Sequence, residues 1–276
     1  MRRPHAEVAE PIMQALERYR RAVGPQSLSW YFDHDVEDFR ELNDHGWESA
    51  LRELRENQWA HTLLRDGPGG VGAYQFEYFG SAIEASLVDE EPGKVCALSC
   101  WLPTEFLEQH GPARVREVAL DVASPLPFNS GYASLSLHAL TGLMGVSREL
   151  SRRCFRHPGM EISGESMFSH EIGTQVRGAY WLTFLGHPVL GELGGTARLR
   201  ARLPSPDITL QEMEGERVAI TLGTWPEAGD TEAGKDLPLY RELARVLEPW
   251  LFHQSRSFDT NLPAKDARRW ERRFLD

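Results

Sequence analysis

The stretch from Arg177 to Trp250 constrains the fold more than any other part of this chain. It reads RGAYWLTFLGHPVLGELGG, then two strand-like stretches, then LGTWPEAGDTEAGKDLPLYRELARVLEPW. Glycine, proline, tryptophan and leucine dominate it, and few of its residues can serve as acid, base, nucleophile or metal ligand. Turn residues at this density cut the chain into short elements, and the large apolar side chains between them demand burial. Such a stretch specifies an architecture rather than a reaction, and it points to a protein that works through its surface.

The remaining segments supply the elements around it. Val8, Ile12, Leu16, Tyr19 and Val23 recur at helical spacing up to the Gly24-Pro25 break. LSWYFD (Leu28 to Asp33) reads as a strand. Gly46 to Trp59 reads as an amphipathic helix, with Trp47, Leu51, Leu54 and Gln58 on one side. DGPGGVG is a loop, and AYQFEYFG after it alternates as a strand. KVCALSCWLP is a second strand, and Thr104 is expected to cap a helix that stops at Gly111, with a further helix over Arg114 to Ala123. Ser130 to Leu140 and Ala179 to Gly186 are strand candidates. ITLQEM and RVAITLG form a hairpin around Glu214-Gly215. A long helix follows over Pro238 to Leu251, then a short basic one over Ala264 to Phe274. With no repeat and no long linker, the expectation is a single α+β domain spanning 1–276, a largely antiparallel β-sheet with surrounding helices.

Composition excludes several function classes. At 276 residues with 41% hydrophobic and 26% charged residues, the chain is an ordinary globular sequence. No stretch approaches the roughly 20 apolar residues of a membrane-spanning helix, and the N-terminus lacks the apolar core of a secretory signal. Three cysteines are too few for a disulfide framework and fit a reducing compartment, so the expected location is cytoplasmic. Forty-one acidic against thirty basic residues give a net charge of −11, which repels nucleic acid and anionic membranes and attracts basic partners. Eight carboxylates (Asp33, Asp35, Glu37, Asp38, Glu41, Asp44, Glu48, Glu53) lie between Asp33 and Glu53 against two arginines. Smaller clusters follow at Asp89-Glu90-Glu91 and from Glu212 to Glu216. Each cluster also fits a plain solvated face.

Catalytic patterns are sparse. Gly164-Glu165-Ser166-Met167-Phe168 lacks the closing glycine of a nucleophile elbow, so Ser166 reads as a helix cap. Gly67 to Gly72 has neither GxGxxG spacing nor a lysine-serine pair for phosphate. His34 with Asp35 and Glu37, and His170 with Glu171, lack chelating helical spacing. Cys96 and Cys100, four apart on a strand, stand about 13 Å apart and suit a core face. No cofactor is expected.

Several uncommon segments occur together and in order. WLPTEFLEQHGPARVREVALDVASPLPFNSGYASLSL, HPGMEIS, RGAYWLTFLGHPVLGELGG, LGTWPEAGD, LPLYRELARVLEPWL and RRWERRF closely resemble the type VI secretion immunity family of TsiV-type proteins, over roughly Trp47 to Phe274. The matching positions include Trp181, Gly186, Gly194, Gly195, Pro226, Gly229, Asp230 and Trp250. Each has a structural reading: Gly194-Gly195 permits a turn at positive φ, Pro226 and Gly229-Asp230 shape a loop after a strand, and Trp181 and Trp250 fill core space.

The resemblance implies an immunity protein that binds and occludes a cognate effector toxin, and no catalytic residue carries over from it. A nuclease toxin has a basic substrate groove that an acidic inhibitor can occupy in place of phosphates. The candidate effector-binding face is therefore the acidic stretch Asp33, Asp35, Glu37, Asp38, Glu41 and Asp44, with Trp30, Tyr31 and Phe32 as aromatic anchors. The competing reading makes the aromatics core residues and the carboxylates solubilising. Two other functions stay open: a metal-dependent enzyme using His34 or His170 with distant ligands, and a non-catalytic scaffold of a secretion cluster.

Overall fold

The computed structural model describes residues 1–83, 93–139, 143–162, 168–253, 262 and 264–276. Contacts divide the chain into two compact units, Met1–Pro127 with Glu165–Gly173, and Phe128–Gly164 with Thr174–Asp276.

The first unit holds α1 (His5–Val23), β1 (Trp30–Asp33), β2 (Asp38–Glu41), α2 (Asp44–Glu56), β3 (His61–Arg65), β4 (Gln75–Phe79), β5 (Ala97–Trp101) and α3 (Thr104–Ala123). Its five strands form an antiparallel sheet in the order β2-β1-β3-β4-β5. The apolar stripe of α1 (Val8, Ile12, Leu16, Tyr19) is fully enclosed, and the Tyr19 ring meets Phe76 of the sheet at 6.2 Å. Each such side chain withdrawn from water contributes about 1.5–3 kcal/mol. His5, at the start of α1, is buried between the Tyr78 hydroxyl (2.8 Å) and the Leu54 carbonyl (2.9 Å), and desolvation lowers its pKa. Helix α1 also packs on α3 and α2. Asn43 caps α2, its side chain accepting from the Gly46 amide at 3.0 Å.

The second unit holds β6 (Ser130–Ala133), α4 (Val146–Arg156), β7 (Leu182–Leu185), α5 (Val189–Glu192), α6 (Gly195–Arg202), β8 (Ile208–Met213), β9 (Arg217–Leu222), α7 (Pro238–Leu247), a 3-10 turn (Glu248–Trp250) and α8 (Ala264–Glu271). Its antiparallel sheet has the order β6-β7-β9-β8. Central β7 is buried at all four positions, and β9 at all but its first. Both read as nearly continuous apolar runs, as strands buried on both faces do.

The α+β class with antiparallel sheet structure agrees with the sequence reading, the strands forming two sheets. The β8–β9 hairpin lies where expected, turning through Gly215 and Glu216 at positive φ. The two helices read on either side of Gly111 meet there at a non-helical residue (φ 76, ψ 168) inside α3. Trp181 is buried at 2% exposure. Gly186 is required by a close approach: a Cβ there would stand 2.3 Å from the Phe128 carbonyl oxygen. Gly194 and Gly195 turn at φ 86 and 79 into α6.

Other expectations are corrected. Pro103, not Thr104, occupies the cap of α3, and no side chain there makes a capping bond. Trp250 does not fill the core; it is half-buried in the 3-10 turn, its indole N–H donating to Glu192. The strand read from Ser130 to Leu140 ends at Ala133, and the final long helix gives way after Leu247 because Pro249 tightens the turn. Strands β2 and β3 and helices α4, α5 and α6 were not foreseen; the strands and α5 are only four or five residues long, and α4 and α6 are rich in arginine. Ser166, the Asp89-Glu90-Glu91 cluster and Leu140 lie outside the described residues.

Candidate functional site

Strands β1 and β2 turn the acidic stretch into a hairpin at the edge of the five-stranded sheet, with His34, Asp35, Val36 and Glu37 as its loop. The register pairs Trp30 with Glu41, Tyr31 with Arg40, Phe32 with Phe39 and Asp33 with Asp38. Side chains alternate along a strand, so the hairpin has two chemically distinct faces.

Tyr31, Asp33 and Arg40 share the face toward α2. Tyr31 is buried, and its ring lies so close to Gly46 that a Cβ there would meet it at 2.8 Å. The Tyr31 hydroxyl donates to Asp33 Oδ2 (3.3 Å), which also takes the Arg40 guanidinium at 3.2 Å. Asp33 Oδ1 accepts the Asp35 amide at 3.0 Å, closing the loop. Burial and the Asp33 charge push the Tyr31 phenol up. Within the hairpin, Asp33 and Tyr31 are therefore props that hold it in shape.

Trp30, Phe32 and Phe39 share the other face, all half-exposed. The Phe32 ring meets Phe39 edge-on at 5.4 Å and His34 at 5.1 Å. Beyond them His61 of β3 stacks on Phe79 of β4 at 4.4 Å and reaches Glu77 at 3.2 Å, while its carbonyl holds His34 Nε2 at 2.6 Å. The Arg65 guanidinium lies 4.6 Å from the Phe39 ring. An aromatic and imidazole ladder thus crosses four strands. Asp35, Glu37 and Asp38 stand exposed at the hairpin tip, with Glu41 at the far end of β2 and Asp44 in the first turn of α2. Val36 at the tip is 46% exposed. Glu37 adopts φ 54, which fixes the tip's direction at some backbone cost.

The hairpin brings most of the acidic candidates into one region and divides the aromatic ones: Trp30 and Phe32 face outward, Tyr31 inward. Phe39 and His61 were missed as members of the ladder, and the apolar-charged alternation of DFRE was the signal for β2. His170 is exposed and belongs to a different stretch of the first unit. Among the described residues, no group of three or more His, Cys, Asp or Glu side chains could hold a metal ion. Nor is any helix among them long and apolar enough to cross a membrane. The Glu212 to Glu216 cluster sits exposed on the β8–β9 turn, where Glu216 contacts His187 at 2.9 Å.

The second unit encloses an ionic cluster. Glu161 is 1% exposed; it accepts the Tyr180 hydroxyl and faces Arg177 at 3.6 Å. Burial pushes its carboxyl up, but Arg177, Arg273 and the Tyr180 bond outweigh this and hold it below the ordinary value. Arg177 also faces Glu271 of α8 at 3.8 Å, and Arg273 lies 3.9 Å over the Trp270 ring. Enclosed in this way, the cluster ties α8 to the irregular segments that carry Glu161, Arg177 and Tyr180 and is out of a partner's reach.

Comparison with known proteins yields two findings. The sequence matches the family TsiV, described as type VI immunity for VRR-NUC, over residues 11–274. That match starts well before Trp47, so it takes in the acidic hairpin. A Pseudomonas aeruginosa T6SS protein of known structure shares the fold, with a TM-score of 0.77 at 21% identity, covering 97% of this chain and 77% of that one. No curated protein matches the sequence.

Proposed function

This chain belongs to the TsiV family of type VI immunity proteins for VRR-NUC, and from that premise we propose that it binds a cognate VRR-NUC effector and blocks it by occupying its basic, nucleic-acid-binding surface. The binding face is the β1–β2 hairpin, and protection is stoichiometric rather than catalytic. The observation that carries this reading is the hairpin itself, which projects Asp35, Glu37, Asp38 and Glu41 into solvent beside the half-exposed rings of Trp30, Phe32 and Phe39.

A nuclease surface that accepts a phosphate backbone presents arginine and lysine, and a carboxylate array can meet those groups where phosphates otherwise would. Opposite charge also speeds encounter by about 10- to 10³-fold at low salt. The aromatic ladder supplies the desolvated contact area that charge alone lacks. The protein would act in the cytoplasm, where the effector meets nucleic acid. With a net charge of −11 it competes with nucleic acid rather than binding it, and it needs no membrane or cofactor.

The test replaces Asp35, Glu37, Asp38 and Glu41 together with lysine and leaves Asp33 in place, because Asp33 holds the hairpin. The association rate with purified effector should fall by about 10-fold or more at low salt, with a flattened salt dependence. The wild-type protein should suppress the effector's nuclease activity at a one-to-one ratio. Unchanged affinity of the lysine variant at low salt would remove the hairpin from the binding face.

A further inference from the structure

The loop that follows β9 carries a half-exposed tryptophan. Trp225 is 51% exposed, and Thr224 and Glu227 on either side of Trp225-Pro226 are exposed as well. The rest of the segment is tightly held. The Glu227 amide donates to the Tyr240 hydroxyl (3.3 Å), and the Ala228 carbonyl accepts the Gly159 amide (2.9 Å). His157 Nδ1 lies 2.8 Å from the Gly229 carbonyl. The Arg156 guanidinium grips Asp230 with two bonds of 3.2 and 2.9 Å and holds its carboxyl down to about 2. Asp230 and Lys235 pair backbone to backbone across the turn. A Cβ at Gly159 would come within 2.0 Å of the Glu227 carbonyl oxygen, so the loop backbone is seated against Pro158-Gly159 as closely as atoms permit.

These contacts hold the loop while leaving about half of the Trp225 side chain in water. Pro226 further confines the Trp225 backbone to an extended conformation. A large rigid side chain whose backbone is already ordered is the cheapest kind of anchor for a partner, because little conformational freedom remains to be lost on binding. A comparison within the chain shows what such a ring attracts. Trp59, similarly exposed at 53%, has the Lys94 ammonium 4.2 Å from its ring centroid. Trp225 has the same aromatic face and a carboxylate, Glu227, two residues on. Indole and carboxylate together suit a guanidinium, which stacks on the one and donates to the other.

We propose that Trp225 and Glu227 form a second effector anchor, which receives an arginine or lysine side chain from the basic surface of the VRR-NUC partner. The assignment rests on the immunity reading above and extends it to the second unit. A nucleobase would also stack on the indole, but Glu227 and the chain's net charge of −11 oppose the approach of phosphates, so the occupant is a protein cation.

Trp225→Ala, Trp225→Phe and Glu227→Gln, each in the full-length chain, decide it by calorimetry and surface kinetics with the purified effector. Trp225→Ala should weaken binding by about 10- to 100-fold, chiefly through faster dissociation, while its melting temperature falls by no more than about 2–4 °C because half of the side chain is already in water. Trp225→Phe should recover part of the affinity, and Glu227→Gln should lose less than Trp225→Ala. Affinity of Trp225→Ala within twofold of wild type, with the hairpin variant still impaired, overturns the anchor and leaves the immunity reading standing. Failure of the wild-type protein to bind the effector overturns both. A single-stranded oligonucleotide that quenches wild-type tryptophan emission, but not that of Trp225→Ala, overturns the assignment to a protein cation.

Discussion

Two hairpins of this protein, β8–β9 and β1–β2, use the same pairing geometry for opposite ends. In β8–β9, six-residue strands turn through Gly215-Glu216, and β9 is buried from Val218 to Leu222 between β7 and β8. In β1–β2, four-residue strands enclose a four-residue loop, and β2 is an edge strand with Asp38, Arg40 and Glu41 exposed. The difference follows from position in the sheet. A central strand has both faces and both edges enclosed, so its composition is dictated by packing. An edge strand with one open face is dictated by packing at only half its side chains, which leaves the rest available for charge and recognition. The acidic residues use the freedom of this edge and its tip: Asp38 and Glu41 stand exposed on opposite faces of β2, and Asp35 and Glu37 in the loop.

The contrast can be tested from its interior outward. Removing the carboxylate of the enclosed cluster with Glu161→Ala should cost about 3–5 kcal/mol, because Arg177 and Arg273 would stay charged with only Glu271 facing Arg177. Since the folded-state pKa of Glu161 is depressed, the wild-type stability it contributes is present above the ordinary value of 4.5 and is lost as pH falls through the lower folded value. Denaturant melts at pH 7 and pH 3 should therefore show a gap between wild type and variant that narrows in acid. Ile220→Ala in β9, at a position with no exposure, should cost about 3 kcal/mol through lost burial and the cavity left behind. Phe39→Ala in β2 removes a half-exposed ring from the edge and should cost about 1 kcal/mol. Equal losses for Ile220→Ala and Phe39→Ala in urea titrations would break the distinction between centre and edge. The smallest effect belongs to the four-lysine hairpin variant, whose stability should stay within about 0.5 kcal/mol of wild type while its effector association slows. A large stability loss there would mean that the carboxylates are structural and not free for a partner.

Legibility tracked the same division. Helix α1 and strands β7 and β9 declared themselves through complete apolar periodicity, and Gly186 and Gly194-Gly195 through turns that only glycine makes easily. Strand β2 stayed hidden in a run of charges, because an edge strand needs few apolar residues and DFRE offers one. Trp250 illustrates the reverse error: its large ring suggested core, yet Pro249 and the Glu192 hydrogen bond keep it half-exposed. At the candidate site, the sequence marked the acidic stretch and its neighbouring aromatics as a unit, and most of them lie on the β1–β2 hairpin. It did not separate Tyr31 and Asp33, which brace the hairpin, from Trp30 and Phe32, which face outward. Nor did it bring His61 and Phe79 to the same ladder, since those residues meet only through strand pairing.

What the sequence determined by itself was the family, the α+β class and the sign of the charge, because these depend on residue identity and local order. The tertiary structure decided which charges are free and which are used. Asp33 and Asp230 are spoken for by Arg40 and Arg156, whereas Asp35 and Glu37 stand exposed. It also decided that Trp181 is enclosed and Trp225 is not, although both come from the same glycine- and proline-rich stretch. Burial and pairing are set by what arrives from elsewhere in the chain, and a side chain's availability to a partner is whatever those long-range contacts leave over.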